Sequence, residues 1–380
     1  MLIVLTTHPI QYQVPLWQKL ARDGRVPFEV WYLTRHGVEA SHDREFGQAF
    51  AWDIDSLSGY TSRFLDDAPQ ASPASFWGCR LTRPLAPRLA ASGARVLWVQ
   101  GWQVRAYWQA VREAHAAGVQ VWLRGESNDL APDPVWKRLA KRIRLGRLFG
   151  NVDRFLCIGT GNARLYRRFG VGAERLAQAP YAVDNERFAR QAAALRPTRG
   201  VLRQRLGIPD DAFCVLFCGK LIPKKRPHHL VAAAGMLMAQ GKRIHLLFAG
   251  SGVLENELRA RCAALHVPAS FAGFLNQTRV SEAYVAADGL ALPSDFGETW
   301  GLVVNEAMAS GLPCAVSDQC GCAEDLARSA PNVTFEGGSI PGLVTALAAL
   351  MAGDRIPQRL PPSLDGTVAT VVDLYSAARS

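Results

Sequence analysis

The chain has 380 residues, 49% hydrophobic and 20% charged, enough for two ordinary globular domains, each with its own core. No stretch approaches the roughly 20 uninterrupted apolar residues of a membrane span, and the opening "MLIVLTTHPIQY" lacks the basic leader of a signal peptide. A formal charge of +10 favours anionic partners (a nucleotide, a phosphorylated lipid, a membrane surface or nucleic acid) without choosing among them.

In chain order, "MLIVLTT", "FEVWYLT", "ARVLWVQG", "VQVWLRGE" and "RFLCIGTG" read as short buried strands, each beside a helix-like segment. After Gly200 the rhythm restarts with "AFCVLFCGK", "IHLLFAGSG", "ASFAGFL", "GLALPS" and "PCAVSD". Near-continuous apolar strands between helices predict parallel sheets covered on both faces. The fold class is therefore α/β, with two doubly wound, Rossmann-like domains facing a cleft. The expected limits are 1–188 and 201–364, with a linker over Ala189–Gly200, which is polar and holds Pro197 and Gly200. The end, 365–380, reads as a terminal helix that packs back on the first domain. The eight cysteines are scattered through apolar segments, so buried thiols in a reducing cytoplasm are expected, and Cys320-Gly321-Cys322 has no second pair to complete a metal set.

Ligands of open parallel sheets bind beyond the carboxyl ends of the strands, so those positions come first. In the second domain, Gly219 and Lys220 are followed by Lys224, Lys225 and Arg226. Taken alone, this is a solvated basic turn. Gly250 and Gly252 form a Gly-x-Gly that alone marks only a tight strand–helix turn. Gly297 and Gly301 flank a helix start whose first amides can hold phosphate. Three such features at three strand ends together describe a nucleotide diphosphate pocket. Glu298 and Glu306 bracket that helix start. On a single helix they would lie about 80° and about 12 Å apart, so Glu298 is expected in the loop and Glu306 on the helix. Neither layout suits a retaining glycosidase pair, whose carboxyl groups stand about 5 Å apart. A first-turn acid and an exposed helix residue are their bland alternatives. The second is strained, because Glu306 sits in the apolar run "LVVNEAMA" and a buried carboxylate needs partners.

The run Lys220–Pro313 resembles the retaining, family 4 type of nucleotide-sugar glycosyltransferase with a GT-B fold. The family's Glu-x7-Glu motif stands here as Glu298, Gly301, Glu306, Ala307, Met308, Ala309, Gly311 and Pro313, with "FCGKLIPKKRPHHLVAAAGML" and "LLFAGSG" upstream. The resemblance implies that Lys220 and Lys225 neutralise the donor diphosphate, Glu306 holds the ribose and Glu298 the donor sugar. Gly301 and Leu302 offer amides to phosphate, and Phe274 lies where the base is bracketed or is simply core. Lys220 replaces the family's usual Arg, which keeps the charge but loses the planar fork. It further implies attack from the face of departure, with a donor phosphate oxygen taking the acceptor's proton and no metal or cofactor. An inverting outcome would instead make Glu126, or an acid among Asp43, Glu45 and Asp53, the base.

The first domain, where such enzymes bind acceptors, departs from the family pattern. "THPIQYQVPLWQKLA" replaces a Gly-rich loop and places His8, Gln11 and Tyr12 after the first strand; His8 is either structural or a ligand residue. "VWLRGESND" has no His after its strand. Its Arg124 and Glu126 either form a loop-holding ion pair, or meet an acceptor phosphate and hydroxyl. "THPIQYQVPLW" and "FGQAFAWDIDSLSGYTSRFL" resemble a bacterial surface-polysaccharide subgroup, lipopolysaccharide synthesis included, which makes Asp43 an acceptor-side candidate. "VWKRLAKRIRLGRLFG", Val135–Gly150, is strongly basic; its apolar face either turns to the sheet or, with its charges, meets anionic lipid headgroups. No nucleic-acid motif accompanies it. The reading is a glycosyltransferase of the cytoplasm, peripheral on the inner membrane, acting on a glycan or lipid-linked glycan. Its rivals are a nucleotide-sugar epimerase and a non-catalytic polysaccharide- or lipid-binding protein.

Overall fold

The computed structural model describes residues 1–36, 41–43, 48–50, 55–65, 75–132, 134–353 and 360–378. The chain divides into two compact units: Met1–Ser41, Ile54–Tyr181 and Ser363–Ser380 in the first, His42–Asp53 and Ala182–Pro362 in the second.

The first unit is built on strands β1 (Leu2–Thr6), β2 (Phe28–Tyr32), β5 (Ser62–Phe64), β6 (Val96–Val99), β7 (Gln120–Leu123), β8 (Arg154–Cys157) and β9 (Leu176–Gln178), while β3 (Ser41–Asp43) and β4 (Gln48–Phe50) form a separate two-stranded sheet. The main sheet runs β5-β2-β1-β6-β7-β8-β9, parallel throughout. The second unit holds β10 (Phe213–Cys218), β11 (Ile244–Ala249), β12 (Ala269–Gly273), β13 (Gly289–Leu292), β14 (Cys314–Ser317) and β15 (Val333–Phe335), in the parallel order β12-β11-β10-β13-β14-β15. The central strands are buried along their whole length because helices cover both faces, which is why they read as unbroken apolar runs. Trp17, Trp31, Trp98 and Trp122 lie fully buried in the first unit. The ten strands expected are all present; β5, β9 and β15 are three-residue additions too short to show a period.

The expected linker is corrected. Asn185–Leu195 and Arg199–Arg205 are α-helices joined by the 3-10 turn Arg196–Thr198, and all belong to the second unit. Their arginines bind backbone of that unit: Arg196 donates to the Ser310 carbonyl (3.1 Å), and Arg199 to Val285 (2.9 Å). Pro197 falls in a first turn, where a missing N–H breaks no helical bond. The chain thus crosses at Tyr181–Ala182 and returns at Pro362–Ser363. The returning helix, Leu364–Ala377, packs on the Val14–Asp23 helix of the first unit, where Lys19 pairs with Asp365 (2.8 Å) and Thr370 donates to the Gln178 carbonyl (2.8 Å).

All eight cysteines are buried free thiols, and among the described residues no His, Cys, Asp and Glu gather into a metal-binding group. Nor is any described helix long and apolar enough to cross a membrane.

One buried cation ties the Arg199–Arg205 helix to the second sheet. Arg203 is 1% exposed and donates to the carbonyls of Ala286, Pro209 and Ala212 and to Asp288, whose carboxylate also accepts from Arg199 and from the Cys214 amide. Removing the carboxylate leaves that guanidinium buried without its counter-charge. Asp288→Ala is expected to lower the unfolding free energy by about 3 kcal/mol in urea titration, and Asp288→Asn by less.

Candidate functional site

In the second sheet β11, β10 and β13 are neighbours, so the three marked strand ends lie side by side. Gly219 and Gly250 adopt positive φ (135° and 148°), and a Cβ on Gly250 would overlap the Gly219 carbonyl. Gly252 is as constrained, since its Cβ would sit 2.5 Å from the Leu221 carbonyl oxygen. The Gly-x-Gly is therefore more than a tight turn: only bare backbone lets the two loops touch.

The basic loop also grips the β13 end. Asp295 N–H donates to the Lys224 carbonyl (2.8 Å), and Lys225 Nζ pairs with Glu298 Oε2 (2.5 Å), both side chains largely buried. Lys225 lies over Gly219, its Cε 3.5 Å from where a Cβ would be. Ser294 Oγ reaches the same Glu298 oxygen (3.4 Å), while Gly321 and Cys322 amides bind the carbonyls of Glu298 and Trp300. Trp300 is buried, with its indole N–H on Asn305 Oδ1 (2.9 Å), which fixes the loop against the helix Leu302–Ala309. Gly301 starts that helix at φ 104°, a conformation closed to most side chains, and no side chain caps it.

Glu298 thus lies in the loop and Glu306 on the helix, as expected. Glu306 is not an exposed helix residue. Its Oε2 accepts from the buried Tyr284 hydroxyl (2.6 Å), and burial pushes its pKa up, against the Tyr284 bond and the nearby Arg187 charge that pull it down. Tyr284 and Arg187 escaped the sequence reading, although a lone phenol in the apolar helix Val280–Ala286 was a signal for the first. Lys220 is half-buried beside Gly219, and Phe274 is half-buried just past β12, outside the second unit's apolar core. Leu302 begins the helix.

In the first unit, another set gathers past β1, β6 and β7, again adjacent strands. Tyr12 and Tyr181 hydroxyls both donate to Glu126 Oε1, the former at 3.1 Å, and their rings meet edge to face at 5.7 Å. Burial and then the Glu126 charge hold both phenols well above their usual pKa, so they remain donors. Arg124 is buried, and its guanidinium lies over the Tyr181 ring (4.6 Å); among the described residues it forms no ion pair, and its Nε has no hydrogen-bond partner. The loop-holding Arg124–Glu126 pair is thereby corrected: each faces a tyrosine instead. Gln11 Oε1 and Gln100 Nε2 are likewise buried without partners. His8 Nδ1 meets Thr7 Oγ1 (2.9 Å) and its ring packs edge to face on His36 (5.1 Å). Burial, helped by His36, lowers its pKa to about 4, so it is neutral near pH 7. Of Asp43 only the backbone, in β3, is described; Glu45 and Asp53 lie outside the described residues.

With this geometry, comparison with known proteins is informative. Residues 198–361, less than half the chain, match the family Glycosyl transferases group 1. The fold is of the GT-B type. A D-inositol 3-phosphate glycosyltransferase of Nocardia farcinica is 29% identical over 269 residues, 67% of this chain and 56% of that protein. The chain spans about half the length of the curated relatives it matches. A glycosyltransferase of Rickettsia africae superposes with a TM-score of 0.72 at 10% identity, covering 100% of this chain and 98% of the other. Anabaena Alr3699/HepE, solved in complex with UDP and glucose, gives 0.63 at 14% identity, with 100% and 95% covered. At such identities the structures speak for the fold alone.

The raised pKa of Glu306 carries a stability consequence. A carboxyl whose folded pKa lies above its unfolded one costs the folded state stability as pH rises through that interval, and nothing below the unfolded value. Glu306→Gln keeps an acceptor for Tyr284 without the charge. Thermal melts should show it more stable than the wild type at pH 8, the gap closing as pH falls towards 4; an unchanged gap would reject the enclosed carboxylate.

Proposed function

We propose that the chain is a glycosyltransferase that moves a sugar from a nucleotide-diphosphate donor to a glycan or lipid-linked glycan acceptor, in cell-surface polysaccharide synthesis. The observation that carries this is the Lys225–Glu298 pair at the joined ends of β10 and β13, beside an uncapped helix start and the enclosed Glu306. In this reading Lys220, Lys225 and the amides of Gly301 and Leu302 receive the diphosphate, with Gly219, Gly250 and Gly252 giving its oxygens room. Glu306 accepts from the ribose hydroxyls and Phe274 borders the base. Donor binding is then an exchange of partners: the diphosphate takes Lys225, and Glu298 turns to the sugar hydroxyls. As the glycosidic bond breaks, negative charge grows on the leaving diphosphate, and lysines and helix amides stabilise it more than the ground state.

On the acceptor side the reading assigns Glu126, Arg124, Tyr12, Gln11 and His8, with Asp43 a further candidate. Both phenols bind Glu126 Oε1, which leaves Oε2 open to an acceptor hydroxyl. Arg124, buried and in no ion pair among the described residues, suits an anionic acceptor group, and the relatives' named substrate carries a phosphate. In this reading attack comes from the face of departure without metal, and a donor phosphate oxygen takes the proton, so no protein base is required. Work at the cytoplasmic face of an inner membrane completes the reading.

Incubation with a panel of nucleotide sugars and phosphorylated or lipid-linked acceptors, read by mass spectrometry, tests it. An epimerase would isomerise its donor with no acceptor present, and a mere binding protein would leave it untouched. Glu306→Ala should weaken nucleotide binding about 10- to 100-fold, the worth of hydrogen bonds to a charged group. Glu298→Gln should lower turnover while the nucleoside diphosphate binds as tightly or more tightly, because Lys225 is no longer shared. Normal kinetics in both variants would reject the site.

A further inference from the structure

The basic helix Val135–Phe149 is not seated as an amphipathic helix should be. Among its described side chains the buried ones are Leu145, Leu148 and Phe149, and Phe149 is packed among Trp102, Phe155, Tyr166 and Phe169. The apolar residues of the earlier turns face outward: Trp136 is 68% exposed, Leu139 58% and Ile143 54%. At 100° per residue these three fall within about 60° of one another, a stripe about 10 Å long, with Arg142 on one flank and Arg144 on the other. Arg138, Lys141, Arg142, Arg144 and Arg147 are all exposed, and no Asp or Glu occurs from Val135 to Gly150.

A second exposed aromatic is linked to the helix through two intervening rings. Arg144 lies over the Trp108 ring (5.8 Å), Trp108 meets Phe76 edge to face (6.1 Å), and Phe76 meets Trp77 (5.2 Å). Trp77 is 69% exposed, with the Arg105 guanidinium over its ring (4.9 Å). The first unit therefore presents Trp136, Leu139, Ile143 and Trp77 amid cations.

We propose that this face docks on an anionic phospholipid surface, with the apolar stripe and Trp77 at the headgroup–acyl boundary and the arginines and Lys141 on lipid phosphates. Charge selects this occupant. A second copy would set one acid-free basic helix against another, and like charges in contact are costly. Nucleic acid would satisfy the cations but leave Leu139 and Ile143 without burial. A lipid interface takes both: apolar side chains into the acyl boundary, Trp at the interface and basic groups among headgroups. The inference stands on this helix alone and does not rest on the donor site.

Vesicle flotation tests it, using phosphatidylcholine alone and phosphatidylcholine mixed with phosphatidylglycerol. The wild-type protein should float with the anionic vesicles and not with the neutral ones, and less so as salt rises. Leu139→Ser with Ile143→Ser should cut partitioning by at least about tenfold. Arg142→Gln with Arg144→Gln should cut it about fivefold per arginine. Both pairs are exposed, so melting temperature and nucleoside diphosphate binding should stay at wild-type values, which separates failure here from failure of the donor reading. No binding of wild type to anionic vesicles, or full binding by the apolar variant, overturns the proposal. So does a wild-type dimer that the apolar variant turns to monomer while vesicles go unbound, since the stripe is then an interface between copies.

Discussion

The second unit's site turns on one largely buried ion pair, Lys225–Glu298. A largely buried ammonium drawn down over Gly219 is costly unless it is paired, and the loop after β13 delivers the carboxylate. Everything nearby serves that delivery. The Asp295–Lys224 backbone bond fastens the loops, buried Trp300 anchors the second, and amides of Gly321 and Cys322 occupy its carbonyls. The glycines at 219, 250 and 252 allow the backbones to approach closely enough for the arrangement to exist. A pair held in this way is charge-balanced, so in the proposed reading an arriving diphosphate would displace a carboxylate rather than meet a bare cation. That would temper affinity for free phosphate and favour ligands that give the displaced Glu298 new hydrogen-bond donors, as a sugar would.

The two glutamates of the motif are thus chemically unlike. Glu298 is paired with the Lys225 ammonium and reached by the Ser294 hydroxyl. Glu306 is enclosed, with a phenol as its close partner and Arg187 as a more distant charge. Burial without a contacting cation leaves it a strong acceptor seeking donors, a state suited to a pair of ribose hydroxyls and poorly suited to proton shuttling with Glu298.

Much of this was legible because it is local. Strand runs, the restart after Gly200, the loop position of Glu298 and the helical position of Glu306 all follow from periodicity and turn residues within short windows. What escaped is either short or distant. β5, β9 and β15 have three residues each, below any usable period. Ala189–Gly200 read as a linker because the arginines of its helices and of the next turn are satisfied by carbonyls far along the chain, which no local pattern displays. Tyr181 reaches Glu126 across 55 positions and Tyr284 reaches Glu306 across 22, so each partner's role becomes visible only once the sheets bring them together. The Val135–Phe149 helix was left between two readings, because spacing marks an apolar stripe and cannot say what the stripe faces.

Two buried arginines show how structure and site can be told apart. Arg203 spends both terminal nitrogens on three carbonyls and a carboxylate, which tie its guanidinium into the second unit and leave only its buried Nε without a partner. Arg124 is also buried, yet it has the face of Tyr181 and no ion pair among the described residues. Burying a cation so sparsely partnered costs folding stability with no structural return. Its neighbours repeat the pattern, with Gln11 Oε1 and Gln100 Nε2 unpaired at adjacent strand ends and Glu126 fixed by phenols on one oxygen only. Surplus hydrogen-bonding capacity gathered at the carboxyl edge of a parallel sheet is what a ligand site is made of. In the proposed reading, an acceptor's own charge and hydroxyls would complete the set in the first unit.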